Sequence, residues 1–151
     1  MLETLRIEDQ LNRSFRGEAW HGPCLQDLLR DVTFSHAAEQ PASGAHSIWE
    51  LVLHITGWLD FSRRRLAGEA VEPTPEQDWP GVPDPSEAAW KLALSRLEAA
   101  NEKLRGAVAA FNADRLDERV PGKPYSFYFL LQGVIQHNLY HAGQIALMKK
   151  S

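Results

Sequence analysis

DPSEAAWKLALSRLEAANEKLRGAVAAF, residues 84–111, is the stretch on which the fold turns. Its opening, Asp84-Pro85-Ser86-Glu87, supplies a carboxylate N-cap at Asp84, a proline at the first helical position and a glutamate at the third, which together start a helix. From there Trp90, Leu94, Leu97, Asn101, Leu104, Val108 and Phe111 recur at alternating steps of four and three residues. That spacing draws one apolar seam along a helix packed at a shallow angle in a bundle, with Asn101 as its single polar member. A seam of this length needs partner helices of similar length.

The flanking sequence provides them. After Pro121-Gly122-Lys123-Pro124 a last long helix is expected from about Ser126 to Met148, with Phe127, Leu130, Leu131, Val134, Ile145 and Met148 on one face and Lys149 and Lys150 at its C-terminal end. Upstream, Ser47 followed three residues later by Glu50 makes a capping box for a helix running to about Ala67 and closed by Gly68. Ile48, Leu51, Val52, Ile55, Trp58 and Leu59 share one arc of it. A first helix carries Leu2, Leu5, Leu11 and Phe15 and stops at Gly17; Trp20-His21-Gly22-Pro23 then breaks the chain before a short helix over Cys24 to Arg30 with Pro23 at its first position.

Residues 69–85 hold five of the nine prolines, at 73, 75, 80, 83 and 85, which excludes a regular helix or a central strand there. This crossover is longer than the roughly 2 to 8 residues that join adjacent antiparallel bundle helices, so the second and third long helices are expected to run parallel. No strand-like alternation and no internal repeat is present. The expectation is an all-α four-helix bundle, with residues 1–151 forming a single domain.

The bulk properties narrow the function. A net charge of −4, from 16 Lys and Arg against 20 Asp and Glu, gives no overall positive field for a phosphate backbone, so no nucleic-acid partner is expected. The longest apolar runs fall well short of the ~20 residues that span a bilayer, and Met1 to Gln10 carries acids rather than a signal segment. Cys24 is the only cysteine and cannot form an intrachain disulfide. A cytoplasmic protein without membrane segments is expected.

Six histidines carry the chemistry. His137 and His141 form an i, i+4 pair on the same arc as Leu130, Val134 and Met148, so both imidazoles point inward. A buried imidazole must find a hydrogen-bond partner, open into a cavity or bind a metal. His54, at the border of the apolar arc beside Leu51 and Trp58, offers a third ligand from the second long helix. Three protein ligands with an open position are the pattern of a catalytic metal site, whereas structural zinc sites usually fill all four positions with protein. The alternative is that each histidine is a satisfied core or edge residue. The pair reads His137-Asn138-Leu139-Tyr140-His141, so the H-E-x-x-H zinc-protease motif is absent, and a ferritin-like di-iron set fails because Glu18 to His21 runs straight into Gly22-Pro23.

Other residues invite two readings each. His46, Glu50 and His54 share a stripe, so Glu50 is either an orienting partner for His54 or a solvated acid beside a loop histidine. Cys24 is a ligand, a nucleophile or a small inert hydrophobe, the last being the commoner behaviour of a lone cysteine. His21 carries no assigned role. Arg63-Arg64-Arg65 reads as a solvated helix end favoured by the helix dipole, with capture of an anionic substrate as the minority reading. Trp79, alone among prolines and acids in the crossover, needs a surface to cover; with Trp58 it is a candidate wall of a substrate pocket, placed near the mouth, the alternative being an anchor on a helix flank.

Three segments carry a family resemblance: Ser47-Ile-Trp-Glu-Leu-Val-Leu-His-Ile-Thr-Gly-Trp58, His137-Asn-Leu-Tyr-His-Ala-Gly-Gln-Ile145 and Ala19-Trp-His-Gly-Pro23. Together they resemble the DinB superfamily, close to its YfiT-like members. A single His motif says little; a helical His followed some eighty residues later by His-x3-His-x-Gly-Gln is far more specific. The resemblance implies a bundle in up-down-down-up order, often dimeric, and a metal triad at His54, His137 and His141. Similar members are described as metal-dependent hydrolases, and characterised relatives as transferases or isomerases that use low-molecular-weight thiols.

The expected function is therefore metal-dependent catalysis on a small molecule, with Zn2+ or Ni2+ held by His54, His137 and His141 and a low-molecular-weight thiol as co-substrate. Thiol transfer to a small electrophile is slightly favoured over hydrolysis, because no glutamate lies inside the His motif to serve as a hydrolytic base. A homodimer is the expected assembly. The readings from other classes are a non-catalytic bundle with structural or adventitious metal, and a small-molecule sensor.

Overall fold

A computed structural model describes residues 1–150 of the chain. They form α1 (Glu3–Phe15), α2 (Leu25–Leu29), α3 (Phe34–Ala38), α4 (Ile48–Leu66), α5 (Pro75–Asp78), α6 (Glu87–Ala110) and α7 (Phe127–Met148), with a 3-10 turn at Ala113–Arg115. No strand occurs among the described residues; the only β pairings are the isolated bridges Ala19–Gly22 and Arg119–Ser126.

Three of the long helices begin the same way. Ser47, Ser86 and Ser126 each accept a hydrogen bond at 3.1 Å from the backbone N–H three residues on, at Glu50, Ala89 and Phe129, which satisfies a donor the helix itself cannot. At Ser47 the Glu50 carboxylate completes the capping box by accepting from the Ser47 N–H at 3.1 Å. α4 ends in a Schellman turn: Gly68 (φ 96°) donates to the Arg65 carbonyl and Glu69 to that of Arg64, both at 3.0 Å.

Three local expectations need correction. The cap of α6 is Ser86 rather than Asp84, and Pro85 stands just outside the helix. Serine and aspartate cap almost equally well, so propensity does not separate starts two residues apart. Pro23 likewise precedes the cap of α2, which is Cys24, because the Asp27 carboxylate closes back on the Cys24 N–H and fixes the start at Leu25. The crossover does contain a helical turn, α5, with Thr74 and Gln77 capping each other and Pro75 at the first position. Proline is barred from helix interiors but suits a first turn, whose N–H groups have no intrahelical acceptors.

Contacts between named residues give the directions of the long helices. Trp49 and Trp90, each near the start of its helix, pack with ring centroids 5.2 Å apart, so α4 and α6 run parallel. Arg105 pairs with Glu8 at 2.6 Å and Arg16 with Glu98 at 3.0 Å, so α1 runs antiparallel to α6. His54 meets His137 while Arg65 meets Tyr125, so α4 and α7 are antiparallel. The core between the four contains Ile7, Leu11, Trp49, Ile55, Leu59, Leu97, Leu104, Leu131 and Ile145, each at most 2% exposed. Asn101, the polar member of the α6 seam, is fully buried with neither amide atom bonded, and nothing in the structure explains it. No helix among the described residues is long and apolar enough to cross a membrane.

Candidate metal centre

The antiparallel pairing of α4 and α7 brings His54, His137 and His141 together. The Nε2 atoms of His54 and His137 lie 3.0 Å apart and those of His141 and His137 3.1 Å apart. All three residues offer ligand atoms within 4.8 Å of one another. His54 and His141 are 5% and 6% exposed, which identifies a cluster inside the bundle.

The outer nitrogens decide where the protons sit. Nδ1 of His54 lies 2.6 Å from the backbone carbonyl of Asp78, which can only accept, so this nitrogen carries the hydrogen. Nδ1 of His141 donates in the same way to Oε1 of Gln144 at 2.6 Å. In both neutral rings the Nε2 lone pair then faces the common centre, where a single N–H on His137 can serve only one of them well. A divalent cation satisfies all three, so the donor set fits a metal by its own chemistry. Burial pushes the pKa of each imidazole down, with the neighbouring histidines acting in the same direction; His137 is lowered to about 3. All three are therefore neutral near pH 7, the state in which imidazole ligates. Nδ1 of His137 is buried and has no partner among the described residues.

The support for His54 comes from the crossover. α5 turns the chain so that Asp78 offers its carbonyl to His54 and its Oδ1 to the Trp58 indole N–H at 2.7 Å, the same oxygen lying 3.2 Å from His54 Nδ1. Trp79 then inserts between two imidazoles, stacked on His54 at 3.7 Å and on His46 at 3.6 Å, with interplanar angles of 2° and 7°. Glu50 does not orient His54 by hydrogen bonding. Its carboxylate takes His46 Nδ1 at 3.0 Å, Gln40 at 3.0 Å and the Ser47 N–H, so it reaches His54 only through two stacked rings, His46 and Trp79. Burial alone raises the Glu50 pKa, but these donors outweigh it and bring it to about 2.

Beside the histidines opens a cavity of about 440 Å³, with His54, His137 and Asp78 at one end and Arg65 and Tyr125 among its other lining groups. Trp58 lines it. Trp79 is not among its lining residues, and both of its faces are covered, by His54 and His46. Cys24 is 1% exposed and burial pushes its thiol pKa up, which suits an inert cap and not a nucleophile. His21 is exposed in the loop after α1, on the rim of a different depression.

Asp78, Gln144 and Tyr125 carry no expected role at this site from sequence, and Arg65 carries only the minority reading of anion capture given to the arginine run. Gln144 lies in the quoted His-x3-His-x-Gly-Gln segment, one turn beyond His141, and that spacing is the signal that could have found it. Asp78 has no such signal, since its partners are 20 and 24 residues away.

The family model for the DinB superfamily matches residues 23–145, most of the chain, and spans all three histidines. No curated protein and no solved structure matches the chain.

Proposed function

We propose that this chain, which belongs to the DinB superfamily, is a metal-dependent enzyme that joins a low-molecular-weight thiol to a small electrophile, with Zn2+ or Ni2+ held by His54, His137 and His141. The observation that carries the reading is the convergence of three Nε2 atoms, two of them with their lone pairs fixed inward, at the end of a mainly apolar cavity. A divalent ion there supplies Lewis acidity, which lets a thiol or water among its ligands lose a proton near neutral pH.

The chain's own residues do the rest. Asp78 and Gln144 hold His54 and His141 in one tautomer, so neither ring has to reorganise when the ion arrives. Trp58, Leu130 and Val134 form apolar wall that excludes water from the acceptor. In the transfer the thiol sulfur bonds to the electrophilic carbon, the leaving group departs with its electron pair, and the thiol proton passes to solvent.

Hydrolysis is the second reading, and one observation favours it: Asp78 lines the cavity and carries a carboxylate, the type of group that serves as a base for water. Elemental analysis of untagged protein comes first, with one tightly held ion per chain expected and lost on changing any of the three histidines. A conjugation screen of small thiols against monochlorobimane then tests transfer. Asp78→Asn separates the two readings, since it preserves an acceptor for Trp58 but removes the base: transfer persists, whereas hydrolysis is lost. Metal content that survives loss of the histidines is incompatible with both.

A further inference from the structure

The three consecutive arginines at the end of α4 do not behave alike. Arg63 pairs with Asp60 at 2.7 Å and Arg64 with Glu69 at 2.8 Å, both as ordinary surface ion pairs. Arg65 is 4% exposed and belongs to the cavity wall. Its hydrogen bonds go to neutral acceptors: Nε and Nη2 to the Val71 carbonyl at 3.2 and 3.0 Å, and Nη1 to the Tyr125 hydroxyl at 2.9 Å. Its one ion pair, with Glu72 at 3.7 Å from Nη2, is too long for a hydrogen bond, and the mostly exposed Glu72 side chain is shared with Lys123.

A buried guanidinium is costly unless an anion meets it, and it has five N–H donors where this one spends three. One N–H on each terminal nitrogen remains for an anionic acceptor. Tyr125 accepts from Arg65 and so keeps its own O–H to donate. Below the guanidinium lies the Trp58 ring, 5.3 Å from Cζ, and the same side chain lies 6.2 Å from the His137 ring. Trp58 thus bridges the cation and the histidines, with Phe129, Leu130 and Val134 completing an apolar surface.

We propose that Arg65, assisted by Tyr125, is the binding residue for a carboxylate carried on an aromatic or aliphatic body, which lies along Trp58 with its reactive end toward His54 and His137. This deepens the thiol-transfer reading, on which it rests for the reaction but not for the binding: the anion belongs to the apolar acceptor and not to a polar thiol. Arg65 also ties the crossover to α7 through Val71 and Tyr125, so the test must separate recognition from clamping.

The probes are 3-phenylpropionate, its neutral amide and mercaptosuccinate, titrated into the full chain while the Arg65 Nε–H resonance is followed by NMR. Each titration is run on metal-loaded protein and after chelation. In the wild type 3-phenylpropionate is expected to move that resonance and to bind about tenfold or more tighter than the amide, with metal or without it. Arg65→Met abolishes the preference and Arg65→Lys retains part of it. Should Arg65→Met fail to fold, the wild-type comparison of acid with amide still decides. Equal affinity for acid and amide overturns the proposal, as does a preference that survives in Arg65→Met. A preference present only with metal places the carboxylate on the ion, and tighter binding of mercaptosuccinate assigns the anion to a polar thiol; either result also overturns it. Because the chelated arm needs no metal chemistry, its outcome is independent of whether the histidine cluster performs transfer.

Discussion

Two acceptors, the Asp78 carbonyl and the Gln144 side chain, fix which nitrogen of His54 and His141 is free to ligate. Replacing Gln144 by Leu removes one of them at little cost in volume. Partners of this kind are worth about 10- to 100-fold in metal affinity, so Gln144→Leu should weaken zinc binding by that factor in competition with a chelating dye. Unchanged affinity in that assay contradicts the tautomer argument. The same histidines set a pH dependence for the metal-free chain. In the unfolded chain His137 takes a proton near its ordinary pKa, whereas in the folded chain burial and its neighbours delay this to about pH 3. Between those values the unfolded state holds more protons, so acid favours unfolding. Denaturant midpoints of chelated protein should fall as pH drops from 7 to 4, and less steeply in His137→Ala. The imidazoles were legible in the sequence because i, i+4 spacing on an apolar arc is a local pattern. Arg65 was only half legible: its place in a basic run suggested a solvated end, and burial beside Tyr125, 60 residues away, is a property of the fold.

The starts of the long helices illustrate what an element declares about itself. Ser47 with Glu50 was readable because both halves of the capping box lie within one turn, and Ser47→Ala should cost about 1 kcal/mol of stability. That corresponds to about 2 to 4 °C in thermal midpoint for a domain of this size, and a variant as stable as the wild type would show the cap to be redundant. α5 was hidden by the same prolines that permit it, because proline density marks an irregular segment while a single turn with Pro75 at its start breaks no rule. Its effect on the site is larger than its length, since it presents Asp78 and Trp79 together to His54. Trp79→Ala should therefore loosen His54 and reduce metal affinity while the far-ultraviolet circular dichroism stays helical. Weakened thiol turnover with fully retained metal affinity would instead place the indole in acceptor recognition.

Taken as a whole, the bundle keeps its core and its candidate metal centre in different regions. The largest fully buried side chains, among them Trp49, Phe127, Leu97, Leu104 and Leu131, carry no metal-ligating atoms, and they join all four long helices through α1 residues Ile7 and Leu11. The histidines occupy one interface, between α4 and α7, and open onto the cavity. A chain of this length buries enough apolar surface to fold without a metal staple, in contrast to small zinc domains in which binding free energy is folding free energy. His141→Ala should consequently lose metal binding yet remain a cooperative helical protein. Adding zinc should raise the wild-type thermal midpoint in a concentration-dependent way, as expected for a ligand that binds only the folded state, and should leave the variant's unmoved. Circular dichroism melts with and without chelator read both effects. If His141→Ala, or the chelated wild type, is unfolded at 25 °C, the ion is part of the scaffold, and a reading that keeps an open position for substrate loses the separation between core and site on which it depends.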